Sequence, residues 1–281
     1  MSEFPPSLAR IHYRAVFALI LAAALSACGT LPEMARIEPS DGPPRHVVDL
    51  SSIPDAVPRV EPFSKYGNPD SYLVGYQRYY VLSNNAGYVE RGVASWYGTK
   101  FHGKRTSSGE PYDMYAMTAA HKTLPLPTYA RVTNLRNGRS VVVKINDRGP
   151  FKDNRLIDLS YAAAVKLGIT AEGTGLVEVR ALDPRNPETY RTPGPVTAAP
   201  PAGNPNLYLQ IGAFSSVENA ERLRTRLGSV AHGNVRVVRA EIDRRTVYRV
   251  RIGPMAGVDE ADRMSRELAL LGLEDSRIVI D

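Results

Sequence analysis

The chain reads as two small folded modules: a mainly β module of short strands closing into a small barrel, then an α+β module with a four-stranded sheet and two helices on one face. Three observations predict this. The run Val141-Val142-Val143-Lys144-Ile145-Asn146-Asp147 is β-branched and then alternates, and Gly149-Pro150 stops it, so a strand ends with a carboxylate among its last residues. Two β-rich runs, 129–135 and 140–145, are joined across Asn137-Gly138, a strong hairpin signal. The segment 209–223 realigns without a gap on 250–264, 41 positions later, each copy giving a strand, a turn and an amphipathic helix.

A length of 281 residues fits about two domains, and 22 Pro with 22 Gly point to long connectors between them. The single Cys forbids an intramolecular disulfide, so both modules must rest on apolar cores. Of the net charge of +6, most belongs to the middle: residues 91–180 carry 14 Lys and Arg against 7 Asp and Glu, whereas 204–281 carry 12 against 11. A positive field of this kind implies an anionic partner for the barrel.

Taken in order, Arg10 and Arg14 form a basic start, Val16 to Ala27 is an apolar run too short to span a bilayer, and Leu25-Ser26-Ala27-Cys28 closes it. Residues 1–27 therefore read as a signal peptide, and the run ending in the chain's one Cys resembles a bacterial lipobox. That resemblance implies cleavage before Cys28, lipidation of its thiol and, with Gly29 following, sorting to the outer membrane facing the periplasm. A cleaved secretory peptide with an incidental free Cys is the plainer alternative. Export removes cytoplasmic nucleic acid as a partner and leaves anionic wall polymer and the membrane surface.

Residues 28–65 are Pro-rich and polar, a composition that predicts an extended, disordered tether. Ser71 to Val74 and Tyr76 to Val81 flank Gly75 as a short hairpin, packed on the next domain or, as the sharper alternative, offering a sugar-stacking platform. Residues 92–98 alternate as a half-buried strand, 101–113 form a polar loop with Gly103 and Gly109, and 114–121 is a short apolar piece ending in His121. The spacing predicts a helix over 157–167, ended by Gly168, and a last strand over 175–181.

On these residues a resemblance can be stated. Ala94-Ser95-Trp96-Tyr97-Gly98, Phe101-His102-Gly103, Thr106, Gly109-Glu110, Tyr112-Asp113-Met114, Thr118-Ala119-Ala120-His121, Asn146-Asp147-Arg148-Gly149-Pro150 and Arg155-Leu156-Ile157-Asp158-Leu159-Ser160 are similar to the rare lipoprotein A family over nearly all of residues 90–182. The resemblance implies a six-stranded double-psi β-barrel, related in fold to expansins, as a catalytic domain over 66–182. Its implied activity is lytic cleavage of peptidoglycan glycan strands that lack stem peptides.

Residues 183–205 are a second Pro- and Ala-rich linker. With strands at 235–238 and 277–280 added to the repeat, residues 206–281 follow a β-α-β-β-α-β order, the ferredoxin-like arrangement. Lacking a basic-aromatic strand signature, this module is not expected to bind RNA. It resembles the SPOR domain, which implies peptidoglycan binding and recruitment to the division septum, with Gln210 as a contact.

Glycosidic cleavage needs an acid for the leaving oxygen and stabilisation of an oxocarbenium-like carbon. A lytic transglycosylase can use one carboxyl group that first donates a proton and then takes one from the sugar's own C6 hydroxyl, an intramolecular attack that outcompetes water in a shaped cleft. By resemblance, Asp147 is the acid and base, protonated at rest through burial. Glu110 would raise the pKa of Asp147 or bind sugar, and His121 would orient a carboxylate or stabilise charge. Tyr97, Phe101, His102, Lys104, Thr106, Tyr112, Asn146, Arg148, Arg155 and Asp158 complete the substrate-binding set. No cofactor and no metal are expected. His102, His121 and Asp147 have the residue types of a zinc site but not its spacing. Two non-enzymatic readings stand beside the enzyme: an expansin-like binder that loosens polymer, and a tether between membrane and wall.

Overall fold

The computed structural model describes residues 41–46, 48–50, 52–152, 154–186, 205–228, 234–242, 245–273 and 276–281. The signal peptide, Cys28 and the first part of the tether lie outside these residues.

Strands β1 (Ser71–Val74) and β2 (Gln77–Tyr80) form a separate antiparallel hairpin. The barrel follows: β3 (Val89–Tyr97), β4 (Thr118–His121), β5 (Thr128–Asn134), β6 (Ser140–Asp147), β7 (Ile157–Ser160), helix α1 (Tyr161–Leu167) and β8 (Gly175–Ala181). The six strands close in the order β3-β7-β4-β6-β5-β8. Pairings β3/β7 and β4/β6 are parallel and the other four antiparallel, as two interlocked crossovers require. The barrel is filled by small and branched side chains, among them Ala94, Ala119, Ala130, Val143, Ile145, Ile157, Leu159 and Val177, all fully buried.

The helix expected over 157–167 begins four residues late. Ile157 and Leu159 alternate inward while their backbone pairs with β3 on one side and β4 on the other, so tertiary pairing wins the first turn for a strand. Ser160 then caps α1 by accepting the Ala163 N–H, and Gly168, with φ of 73°, ends it in the left-handed region.

The predicted tether also differs. From residue 52 to 65 the chain is extended, but it is laid along the barrel as a strap. Ala56 N–H donates to the Val142 carbonyl, Asp55 accepts from Val142 N–H and pairs with Lys166, and Ser64 N–H donates to the Leu126 carbonyl. Leu50 is buried in the barrel core with Ile53 and Ala56 packed against it, which supplies the apolar burial that composition alone did not reveal. Further upstream, the Asp41 carboxylate accepts the N–H groups of Gly98 and Lys100, and a Cβ on Gly98 would stand 2.0 Å from the Gly42 carbonyl oxygen. Only glycine allows that approach.

The second module runs β9 (Leu207–Phe214), α2 (Val217–Leu227), β10 (Val235–Ile242), β11 (Arg245–Met255), α3 (Val258–Leu270) and β12 (Arg277–Ile280), with the antiparallel sheet order β10-β11-β9-β12. It does not stand free of the barrel. Val93 and Leu176 of the barrel share one apolar cluster with Leu207, Leu209, Val250 and Ile280. Arg155 and Asp262 form a buried ion pair across the same boundary, at 2.6 and 3.2 Å.

Candidate active site

Asp147 is the last residue of β6, where Gly149-Pro150 ends the ladder. Its Oδ1 accepts Ser107 N–H and Ser107 Oγ–H, both at 2.7 Å, and Arg148 N–H at 2.8 Å, which fixes its rotamer against the 106–110 loop. That loop is held in turn by Thr106, whose buried hydroxyl donates to the Glu110 carbonyl, and by Ser108 N–H donating to the Asn146 carbonyl.

Arg148 was expected to bind substrate; the structure gives it a different task. Its guanidinium donates to the carbonyls of Gly67, His121 and Leu124 and to Asn68 Oδ1, so it pins the base of the β1/β2 hairpin and the 121–126 turn to the end of β6. Tyr72 lies under the same guanidinium, and Tyr72, Tyr79 and Phe151 form one aromatic cluster beside the Asp147 turn. The hairpin is thus packed on the barrel.

Glu110 sits next to Asp147 through β6. Asn146 Nδ2 donates to its Oε2 at 2.7 Å and Lys144 Nζ donates to its Oε1 at 2.9 Å. Burial pushes the Glu110 carboxyl up, but these two hydrogen bonds and the Lys144 charge outweigh it and leave its pKa below the usual value. Glu110 is therefore an ionised, fixed acceptor at neutral pH. Lys144 also bonds Glu61 of the strap, at 3.1 Å.

A second carboxyl emerges at the same level of the barrel. Ala120 on β4 pairs with Asp147 of β6 on one side and with Asp158 of β7 on the other, so the two aspartates are two strand spacings apart, about 10 Å between α-carbons. Burial pushes Asp158 up to about 6; the Ser95 hydroxyl and Arg155 oppose this, and the charges of Asp41 and Asp147 add to it. The Tyr97 hydroxyl feels the charges of both aspartates and lies beside Thr118. Asp158 Oδ1 and Asn146 Oδ1 are buried with no protein hydrogen-bond partner, whereas the Tyr97 and Thr118 hydroxyls face each other. The two oxygens, one beside Asp147 in sequence and one on Asp158 itself, keep unmet acceptor capacity next to the carboxyls.

The remaining expected residues divide. Phe101 is 41 % exposed, stacks edge-on against Tyr97, and has Lys100 and Lys104 Nζ within 6 Å of its ring, so it and Lys104 form an exposed aromatic and cationic bank. Tyr112 is buried, stacked on Tyr97 at 4.1 Å with its hydroxyl donating to the Tyr97 carbonyl, and supports that ring from behind. His102 accepts Met114 N–H and faces Asp113 and Tyr115.

His121 does not face the carboxylates. Its Nδ1 accepts the N–H groups of Thr123 and Leu124, which leaves Nε2–H to donate to Tyr88 Oη, whose own proton goes to Glu90. Burial first, then Lys122 and Arg148, lower its pKa to about 3, so it is a neutral turn-builder. His102, His121 and Asp147 each have other partners and do not converge. Arg155 likewise has its charge taken by Asp262. Gln210 is buried in the second module's sheet, opposite Arg251 and Arg277, with Oε1 unpaired.

Sequence reasoning missed Ser107, Lys144, Ser95, Thr118 and Asp262. Each acts through a partner far along the chain, and short polar residues carry no spacing signal of their own.

A closed six-stranded barrel with acidic groups at a strand end, followed by a sheet with two helices, defines a two-module class, and the matches agree on both parts. Residues 89–180 match the lytic transglycolase family and residues 203–278 match the SPOR domain family. The endolytic peptidoglycan transglycosylase RlpA of Pseudomonas aeruginosa (strain UCBPP-PA14) is 39 % identical across 85 % of this chain and 84 % of its own length. The protein of the same name from Vibrio cholerae is 45 % identical across 77 % of this chain and 76 % of its own. Among solved structures, the SPOR domain of the Pseudomonas aeruginosa RlpA is 32 % identical, covering 26 % of this chain and 96 % of that domain, with a TM-score of 0.25. The chain belongs to the RlpA family.

Proposed function

We propose that the protein is an endolytic lytic transglycosylase that cleaves peptidoglycan glycan strands, prefers strands stripped of stem peptides, and works at the division septum as an outer-membrane lipoprotein anchored through Cys28. The observation that carries the enzymatic half is the pair of carboxyls, Asp147 and Asp158, on either side of Ala120.

In this reading the glycosidic oxygen takes a proton from the aspartic pair as its bond to the anomeric carbon breaks. The pair then accepts the proton of the C6 hydroxyl while that oxygen closes on the anomeric carbon, giving a 1,6-anhydro end and a free hydroxyl on the departing strand. Asp147 is the member whose side chain is fixed for the substrate, and Asp158, raised by burial to about 6, takes up and gives back a proton more readily than an ordinary aspartate. Glu110, ionised and held by Lys144 and Asn146, receives sugar hydroxyls. Phe101 with Lys104 supplies a face for a sugar ring and a cation for the lactyl carboxylate of a peptide-free muramic acid. The SPOR module supports the peptidoglycan and septal assignments.

Mass analysis of products from residues 29–281 on peptide-free glycan tests this, with Asp147→Asn alongside. Anhydro ends from the native chain and at least a hundredfold slower release from the variant are expected, an order of magnitude set by the loss of an acid–base group. Reducing ends formed by water would make it a hydrolase. Binding without any cleavage would leave an expansin-like wall binder.

A further inference from the structure

We propose that the groove between the strap and the barrel is an accessory glycan site, occupied by the part of a carboxylated strand that extends beyond the point of cleavage. It rests on the reading above and names where the long substrate runs.

The groove has a volume of about 860 Å³, within the range of ligand sites, and is walled by the strap over 59–63, the turn over 84–89 and the barrel exit over 180–185. The strap is pinned on both sides of this stretch, by Ala56 and Asp55 on Val142 and by Ser64 on Leu126. Even so it holds Val60 at 62 % and Phe63 at 59 % exposure. A fixed backbone that presents a branched and an aromatic side chain to solvent, with Arg59 and Arg185 around the same groove and Arg180 paired to Glu178 at its edge, offers a ring face and cations together. Of the acids there, Glu61 shares the Lys144 ammonium with Glu110 and accepts the Tyr129 hydroxyl, and Asp183 accepts the Arg185 N–H. An uncharged apolar ligand would not use the arginines, and a small anion would not need the aromatic face; an acidic polysaccharide uses both.

Continuity decides the occupant. Lys144 Nζ bonds Glu61 Oε2 of the groove wall at 3.1 Å and Glu110 Oε1 at 2.9 Å, and the other Glu110 oxygen is held by Asn146, the neighbour of Asp147. One ammonium therefore separates the groove from the candidate active site, so a strand seated at Asp147 and passing over Glu110 enters the groove next. The strap lies outside the residues matched by the lytic transglycolase family, and the groove gives that segment a purpose besides covering the barrel.

The test uses the full mature chain and peptide-free glycan sorted into short oligosaccharides and long strands. Phe63→Ala, and separately Arg59→Ala with Arg185→Ala, should lower kcat/KM on long strands by about tenfold through KM and leave short oligosaccharides within about twofold. The arginine pair should also flatten the salt dependence of KM on long strands. Equal losses on short and long substrates, or none on either, would overturn the site. If the native chain cleaves nothing, the enzymatic reading fails by itself. The groove is then judged by affinity for fluorescent long strands, where an unchanged Kd in both variants refutes it.

Discussion

Replacing Asp158 by Asn should make the protein more stable, and by an amount that depends on pH. In the fold, burial raises this carboxyl from 3.8 to about 6, with Asp41 and Asp147 adding to the shift and Ser95 and Arg155 opposing it. A carboxyl whose folded pKa lies above its unfolded value is penalised when ionised. The penalty is absent below the unfolded pKa, grows between about 4 and 6, and is complete above that; its full size is about 3 kcal/mol. Asparagine keeps the shape and removes the charge. In urea titrations, Asp158→Asn should therefore exceed the native chain by about 3 kcal/mol at pH 8 and by about 0.5 kcal/mol at pH 4, other titrating groups cancelling in the difference. Glycan cleavage should fall in the same variant, a trade of activity for stability expected where a strained group is functional. A stability gain equal at the two pH values, or a loss at pH 8, would refute the assignment of Asp158 as a carboxyl whose ionisation burial opposes.

Three further outcomes follow from the contacts around the site. Arg148→Ala removes four hydrogen bonds from a half-buried guanidinium and should cost about 3 kcal/mol in urea unfolding, with Arg148→Lys failing to restore it because an ammonium cannot span the same acceptors; a loss under 1 kcal/mol would deny the pinning role. Asp262→Ala strands the buried Arg155 and should destabilise by about 3–5 kcal/mol, whereas Arg155→Met with Asp262→Leu should recover most of that loss; additive losses would show that the two modules do not rest on this pair. His121, with its folded pKa lowered to about 3, should keep the Nε2–H tautomer from pH 8 to pH 5 in ¹⁵N NMR. Because its folded pKa lies below its unfolded value, it contributes stability above about pH 6.5 that is lost as the pH falls. A titration with a midpoint above 5 would overturn its role as a neutral turn-builder.

Much of the architecture was legible in the sequence because it rests on local patterns. The β-branched run into Asp147 and the Gly149-Pro150 stop placed the end of β6, Asn137-Gly138 placed the β5/β6 hairpin, and the 41-residue repeat placed both halves of the second module. The 157–160 segment misled for an equally local reason: its apolar spacing suits a helix, and only the flanking β3 and β4 make it a strand. The strap misled by composition, since its proline content masked the few apolar side chains that dock it.

For this protein, the sequence by itself determined most of the strands and helices, the 157–160 segment apart, and that a carboxylate stands where a strand is cut short, because propensity, periodicity and chain-stiffening residues act over a few neighbours. The tertiary structure alone decided which charges are spent inside the molecule and which are left for a ligand. Arg148 and Arg155 turn to partners more than 20 residues away, and Asp158 owes its raised pKa first to burial and then to the charges of Asp41 and Asp147, against the opposing pull of Ser95 and Arg155. Burial and Coulomb energy depend on distance in space, and a one-dimensional chain carries that distance only after it has folded.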